Sequence, residues 1–373
     1  MMGDWKTCQL GDLITFQRGH DLPKSKMSGG AYPVVGSNGI IGYHDEYTTE
    51  YPSITIGRSG NVGKPFLYKG RSWSHNTSLY IREYRDVDPI FIYYFLRTLD
   101  LGNYAGGSAV PTLNRNHIHT LSVTVPADIT EQRQIASMLS MLDDKIESNT
   151  EVNENLEQQA TAFFYHLFIE NADPFWREGT ISDLGTVVGG STPSKAKSEY
   201  YTDNGIAWIT PKDLSIDKSK FISHGADDIT ELGLRNSSAT IMPAGTVLFS
   251  SRAPIGYIAI ADGEVTTNQG FKSVVPFDYV GTAYVYFFLK NALPTIESMA
   301  SGSTFKEISG SAMRTVPALI PDNNSLREFS EFCEPLFHQQ RILEMESRAL
   351  AALRDSLLPK LMSGELDISN LDL

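Results

Sequence analysis

Cysteine is almost missing from this chain: Cys8 and Cys333 are the only two in 373 residues. That excludes a disulfide framework and a cysteine zinc cluster, and it suits a reducing compartment. No apolar run approaches membrane-spanning length, and the opening MMGDWKTCQL has no basic start followed by a hydrophobic stretch. Neither a membrane anchor nor a signal peptide is therefore expected, and the cytoplasm is the expected location. Catalytic signatures are scarce too. GRSGNVGKP, from Gly57 to Pro65, comes near a phosphate-binding loop, but five residues separate Gly57 from Gly63 where four are needed, and Pro65 stands where Ser or Thr would hold Mg2+. The eight His, His117 and His119 among them, lack the carboxylate or cysteine spacing that completes a metal site. NADPFW, at Asn171 to Trp176, is one proline short of the motif with which amino methyltransferases grip a base, and no Gly-rich cofactor strand precedes it, so it reads as a linker. No catalytic role, no metal and no cofactor of its own is expected for this chain.

Positive charge is also in short supply, with a net charge of −13. Its distribution matters more than its sum. Residues 1–128 carry +1, residues 129–174 carry −7, residues 175–322 carry −3 and residues 323–373 carry −4. The acidity is concentrated in two minor segments, and the two larger ones are close enough to neutral to present local basic patches to a nucleic acid. Length and a hydrophobic content of 41% leave room for two soluble globular domains, each with its own core.

What is present is a duplication. WKTCQLGDLITFQRGHDLPK from Trp5 and WREGTISDLGTVVGGSTPSK from Trp176 lie 171 positions apart and match at Trp5/Trp176, Asp12/Asp183, Leu13/Leu184, Thr15/Thr186, Gly19/Gly190 and Lys24/Lys195. The register persists downstream: IYYFLR (Ile92 to Arg97) answers VYFFLK (Val285 to Lys290), and AGGSAV (Ala105 to Val110) answers ASGSTF (Ala300 to Phe305). Insertions shift the offset to 193 and 195. The chain is two tandem copies of one unit far longer than a solenoid repeat.

The acidic segments read as long helices. From Thr130 to Leu167 there is no Gly or Pro, and apolar or small residues recur at Ile135, Leu139, Leu142, Ile146, Leu156, Ala160, Phe163 and Leu167, with Asn149 and Asn153 filling the two seam positions between. That alternation of four and three is a coiled-coil seam. Asp128 or Thr130 can cap its start. The carboxyl end repeats the pattern at Leu336, Leu343, Leu350 and Leu357, which lie 194 positions beyond Leu142, Asn149, Leu156 and Phe163. A narrow stripe of this kind predicts that the two helices pair with each other, antiparallel, around an internal pseudo-twofold. The alternative is that each packs on its own domain. Asn149, Asn153, Gln340 and Ser347 would set register at a cost in stability. The helix from Ile135 would span roughly 50 Å.

Between the helices the chain reads as mixed α/β. YPSITIG, SLYIREY, LSVTVP, GTVLFSS, YIAIA and KSVVP are β-branched runs bounded by Gly, Pro or Ser, while DPIFIYYFLRTL and GTAYVYFFLKNAL look like short buried helices. The expected organisation is a globular domain over 1–128, a central helix over 129–172, a second domain over 173–322, and a terminal helix and tail over 323–373.

YPVVGSNGIIGY, IAWITPKDL, LFSSRAPIGYIAIA, TTNQGFKSVVP, EQRQIASML and LRDSLLPKLMSGEL, in that arrangement around the duplication, resemble the specificity (S) subunits of type I restriction-modification systems. The resemblance covers nearly the whole chain. It implies two target recognition domains, each reading one half of a split double-stranded DNA site, separated by a helical spacer. It also implies two methyltransferase subunits carrying S-adenosylmethionine, and restriction (motor-nuclease) subunits using ATP and Mg2+ that can join them. The chain itself would catalyse nothing. Different repeat units imply half-sites of different sequence. The candidate DNA-binding residues are Arg58, Asn61, Lys64, His75, Asn76 and Thr77 in the first unit, and Arg252, Asn268 and Gln269 in the second. Arg suits guanine and Asn or Gln suits adenine in the major groove. Arg252 is aligned with the Arg58 loop, and Asn268 and Gln269 with Asn76 and Thr77; residues shared in this way suit turns or phosphate contacts as well as bases. A two-domain coiled-coil scaffold for protein or glycan partners is the alternative function.

Overall fold

The computed structural model describes residues 4–107, 111–302 and 306–367, so the repeated loops AGGSAV and ASGSTF lie partly outside the described residues. Two compact units emerge, Met1–Glu147 with Arg348–Leu373, and Ser148–Ser347. The division passes through both long helices rather than beside them. The helices used below are α1 (Pro89–Leu96), α2 (Ile129–Tyr165), α3 (Thr282–Met299) and α4 (Asn323–Met362).

In the first unit the β-branched run SITIG is buried along its whole length and takes the third place in an antiparallel sheet ordered Ile14–Arg18, Ser78–Tyr84, Ser53–Gly57, Pro65–Tyr68. A strand covered on both faces reads as a continuous apolar run rather than an alternating one. Beside it Tyr32–Gly36 pairs antiparallel with Gly39–His44 and parallel with Trp73–Ser74. Trp5–Gln9 pairs with Ser122–Pro126, which brings the chain start to the foot of α2. Asp88 starts α1 by accepting from the amides of Ile90 and Phe91, and Pro89 follows at the first helical position. Phe91, Ile92 and Phe95 then fill a core with Phe16, Ile54 and Ile56.

The second unit repeats this plan. Its larger sheet runs Gly185–Gly189, Lys272–Pro276, Val247–Ser251, Ile255–Ala261 in the same order, with Phe221–Ile222 added at the edge. In its smaller sheet Ile206–Ile209 and Thr266–Thr267 form the parallel pair that Tyr32–Gly36 and Trp73–Ser74 form in the first unit. Arg177–Thr180 pairs with Pro317–Ile320 as Trp5–Gln9 pairs with Ser122–Pro126. The duplication read from sequence is thus a duplication of topology.

Asp128, not Thr130, caps α2, its carboxylate accepting from the Thr130 amide at 2.8 Å. The α-helix ends at Tyr165 and continues as a π-helical turn over His166–Glu170, so the seam position Leu167 falls on the wider turn. Asp322 caps α4 through the amides of Asn324 and Ser325, and hydrogen bonds from Ser325 hold its carboxyl down to about 2.

Seam residues enter the globular core of both units, Ala160 among them in the second. In the first, Ile135 and Leu139 are buried in the same cluster as the sheet, together with Leu358, Leu361 and Met362 of α4. Leu357, the residue on the sevenfold repeat, packs only at the margin of that cluster. These helix ends pack on the domain as well as on each other, because a two-helix stripe alone leaves the wider faces of its leucines open. In the second unit the pairing is antiparallel: Asn149 Nδ2 donates to Glu346 Oε2 at 2.8 Å and to Ser347 Oγ at 3.2 Å, Gln340 Nε2 donates to the Asn153 carbonyl at 3.1 Å, and the Phe163 and Phe332 rings lie 4.4 Å apart. Leu343 is buried here and Leu156 and Leu336 are half-buried, as are Leu142, Ile146 and Leu350 of the first unit.

A buried charge cluster fastens the second domain to its helices. Lys220 is 8% exposed. Its ammonium pairs with Glu157 of α2 and donates to Gln340 Oε1 of α4 at 2.6 Å, while its backbone amide donates to Glu344 at 2.7 Å. Lys290, exposed midway along α3, reaches Glu157 at 2.5 Å, and the Tyr286 hydroxyl donates to the same carboxylate at 3.2 Å. Burial alone would raise the Glu157 carboxyl, but Lys220 and Lys290 overcome it and hold the group below its usual range. The first unit makes the corresponding fastening with Arg97, which approaches Asp143 and Asp355, and with Tyr94, which donates to Asp143 at 2.7 Å. Arg97 and Lys290 are the matched final residues of IYYFLR and VYFFLK.

Removing one partner of a buried pair strands the other, so Glu157→Leu is expected to cost about 3–5 kcal/mol in denaturant unfolding. Glu154→Gln, at an exposed position on the same helix, should stay within about 0.5 kcal/mol. Because the folded carboxyl of Glu157 is depressed, its contribution is complete above the ordinary value of 4.5 and is lost as pH falls below it. The Leu variant should therefore show a shallower loss of stability in acid than the parent.

Candidate nucleic-acid interface

Gly19 and Gly190, matched in sequence, explain how the loops of each unit are gathered. A Cβ at Gly19 would overlap the carbonyl oxygen of His75, and one at Gly190 that of Asn268, so only glycine lets the two strands approach there. The residue after each glycine continues the match, the His20 amide donating to the Ser74 carbonyl at 2.7 Å and the Ser191 amide to the Thr267 carbonyl at 2.8 Å.

These contacts correct the alignment of the recognition residues. His75 and Asn268 occupy the same place: their amides donate to Val35 and Ile209, and their carbonyls accept from Ser78 and Phe271. Asn76 is therefore equivalent to Gln269, and Thr77 to Gly270. Likewise the Arg58 amide donates to the Thr77 carbonyl and the Ser251 amide to the Gly270 carbonyl, so Arg58 is matched by Ser251, and Arg252 by Ser59. Local sequence similarity around Asn suggested a register one residue away; the hydrogen-bonding pattern of the sheet overrides it, and it places Arg252 one residue beyond the Arg58 position within the corresponding loop.

Within the turn the candidates divide by what they touch. His75 Nδ1 and Thr77 Oγ1 hydrogen-bond to each other at 3.1 Å, and Thr77 Oγ1 also accepts from the Ser37 amide. Asn268 Oδ1 accepts from the Gly270 amide at 2.8 Å. These three shape the turn. Asn76 instead donates to Asp21 Oδ1, and Gln269 accepts from Thr192 Oγ1.

In the first unit, Arg18, Arg58, Asn114, Arg115 and His117 line a cavity of about 500 Å3. Among the described residues none of these three arginines has a carboxylate partner, and Arg115 reaches only the Phe16 carbonyl at 3.5 Å. Three arginines that line one opening without a carboxylate partner have the chemistry an anion or the acceptor edge of guanine would need. Asn114 caps the short helix Arg115–His119 by accepting from the Asn116 amide, and His119 Nε2 accepts from the Phe16 amide at 2.9 Å with its ring stacked on Phe16. Burial, reinforced by Arg115 and Arg85, lowers the His119 pKa and keeps the acceptor nitrogen free of a proton. Arg115 is thereby held on an anchored element.

Lys64 is separated from this cluster. It lines a larger groove, about 1040 Å3, that also holds Lys69, Asp143, Asp144 and Glu147. Asn61 lies exposed with its carbonyl against Gly57. In the second unit Arg252 is not free, pairing with Glu307 at 3.4 Å beside Lys272 at 3.7 Å from the same residue. Ala253 next to it adopts a left-handed φ of 52°, uncommon for a residue with a Cβ. Arg18, Asn114, Arg115 and His117 were not legible as site residues from sequence, although the basic, Asn-rich stretch LNRNH was the available signal.

The sequence profile described as the type I restriction modification DNA specificity domain matches residues 2–158 and again 175–348. The chain belongs to that family. As a member it is a DNA sequence-recognition protein rather than an enzyme, and the scaffold alternative finds no support. It is 40% identical over 178 residues to the MjaIX specificity subunit of Methanocaldococcus jannaschii, an alignment covering 45% of this chain and spanning only 41% of that protein's length. It is 24% identical over 361 residues to the HindI specificity subunit of Haemophilus influenzae, covering 75% of this chain and 78% of that one. The fold is that of the S subunit from M. genitalium, with a TM-score of 0.63 and 19% identity over 96% of both chains. No described helix is long and apolar enough to cross a membrane.

If the arginine cavity holds DNA phosphate or guanine, Arg58→Ala and Arg115→Ala should each weaken DNA binding, and a lost phosphate contact should lower the slope of log affinity against log salt by about one. Arg252→Ala, already neutralised by Glu307, should change the slope less. Fluorescence anisotropy of the methyltransferase-bound chain across a salt series reads all three.

Proposed function

We propose that this chain reads a bipartite, asymmetric site on double-stranded DNA, one half with each unit, and recruits two methyltransferase subunits through its acidic helices. The observation that supports this reading is the twofold occurrence of one loop cluster on one topology with different side chains, Arg58 against Ser251 and Ser59 against Arg252. The same scaffold with different contact residues suits two half-sites of different sequence. The boundaries proposed for the readers are 1–128 and 173–322, with 129–172 and 323–373 as spacer and docking segments. S-adenosylmethionine belongs to the methyltransferase partners; ATP and Mg2+ belong to the two restriction subunits that can join them. The complex would act in the cytoplasm.

Genome-wide mapping of methylated bases tests the reading in cells expressing this chain with its neighbouring methyltransferase, against cells lacking only this chain. A split, asymmetric motif that disappears with the deletion is the expected result, with adenine the methylated base in each half. Unchanged methylation with the partner present would refute it.

A further inference from the structure

Asn76 and Gln269 differ from every other candidate in what they leave unspent. Both are carboxamides at the same structural position, although the surrounding loops differ in sequence and length. Each is held from the side by the residue two places after the matched glycine: Asp21 Oδ1 accepts from Asn76 Nδ2, and Gln269 Oε1 accepts from Thr192 Oγ1. Gly19 and Gly190 put those supporting residues there, since they allow the close approach to the turn.

Each is left with at least one donor and one acceptor, although opposite ends of the two amides are engaged. One N–H of Asn76 is engaged, so its second N–H and its Oδ1 have no other partner among the described residues. One lone pair of Gln269 Oε1 is engaged, which leaves the other lone pair and the Nε2 donors. A carboxamide offering one donor and one acceptor from a single plane matches adenine in the major groove, where N7 accepts and the N6 amino group donates. It does not match guanine, whose N7 and O6 both accept. Neighbouring polar groups are already committed: His75 to Thr77, Asn268 to Gly270, and Arg252 to Glu307. Gln269 is exposed and Asn76 half-buried, as a partly buttressed reader requires.

We propose that Asn76 and Gln269 are equivalent base readers, each pairing with an adenine in its own half-site, and that Asp21 and Thr192 are positioning residues that aim them. The assignment rests on the bipartite reading above and adds to it which side chains discriminate, and for which base. A supported carboxamide loses less freedom on binding than one on a mobile loop, so discrimination depends on the buttress as well as on the amide.

The test uses the full chain in complex with its methyltransferase, and measures binding to duplexes in which each position of the motif is changed in turn. Asn76→Ala should erase discrimination at one A·T pair of the half-site read by the first unit, by about ten- to a hundredfold, and leave the other half unchanged. Gln269→Ala should do the same in the other half. Thr192→Val should weaken discrimination at the Gln269 position only, and Thr192→Ser should restore it, which a merely structural role would not produce. Unaltered discrimination in both alanine variants overturns the proposal. So does loss at a G·C pair, or a uniform loss across all duplexes, which would mark phosphate contacts. If the parent complex recognises no split motif, the bipartite reading itself fails, and this assignment fails with it.

Discussion

Glu157 is the point on which the second unit turns. It sits on one long helix, takes two cations from the globular domain, and shares Lys220 with Gln340 of the other long helix. Lys220 is almost wholly removed from water and depends on Glu157 and Gln340 for its partners, so separating the three elements would leave its ammonium stranded at a heavy desolvation cost. A hydrophobic seam would tolerate sliding by a heptad; a hydrogen-bonded charge cluster does not.

Around that fastening the two units use one plan with different chemistry. The segment IYYFLR or VYFFLK fills the core with aromatics and closes on a cation aimed at a helical carboxylate, Arg97 at the end of α1 at Asp143 and Lys290 midway along α3 at Glu157. The acidic surplus of the long helices is explained partly by these pairs. At the other side of each sheet, a glycine approaches a turn and sets the loop geometry, while the exposed residues vary. The conserved plan lies in backbone hydrogen bonds, and the variation lies in what those bonds hold up.

The same division explains where reading the sequence went astray. Asn76 and Asn268 look alike and were aligned, yet the backbone pairs place Asn268 with His75, and its side chain caps a turn. Arg58 and Arg252 are likewise one position apart, one facing an open basic cavity and the other neutralised by Glu307. Leu357 lies on the sevenfold repeat, but Leu358 and Leu361 are the residues that enter the core, because a globular domain presses on that end of the helix from the side.

The duplication, the mixed α/β class, the two long helices, the polar seam positions and the family resemblance were all carried by local patterns: glycine and tryptophan spacing, β-branched runs, and apolar residues recurring at four and three. Periodicity and composition report which face of an element is buried, and they do so wherever they occur in the chain. The three arginines of the cavity, the equivalence of Asn76 with Gln269, and the pairing of Lys220 with Glu157 join residues separated by 40 to 193 positions. Only tertiary structure decided those, because a side chain's partner across a sheet or a helix pair depends on register, and a shift of one residue changes every partner without changing the pattern.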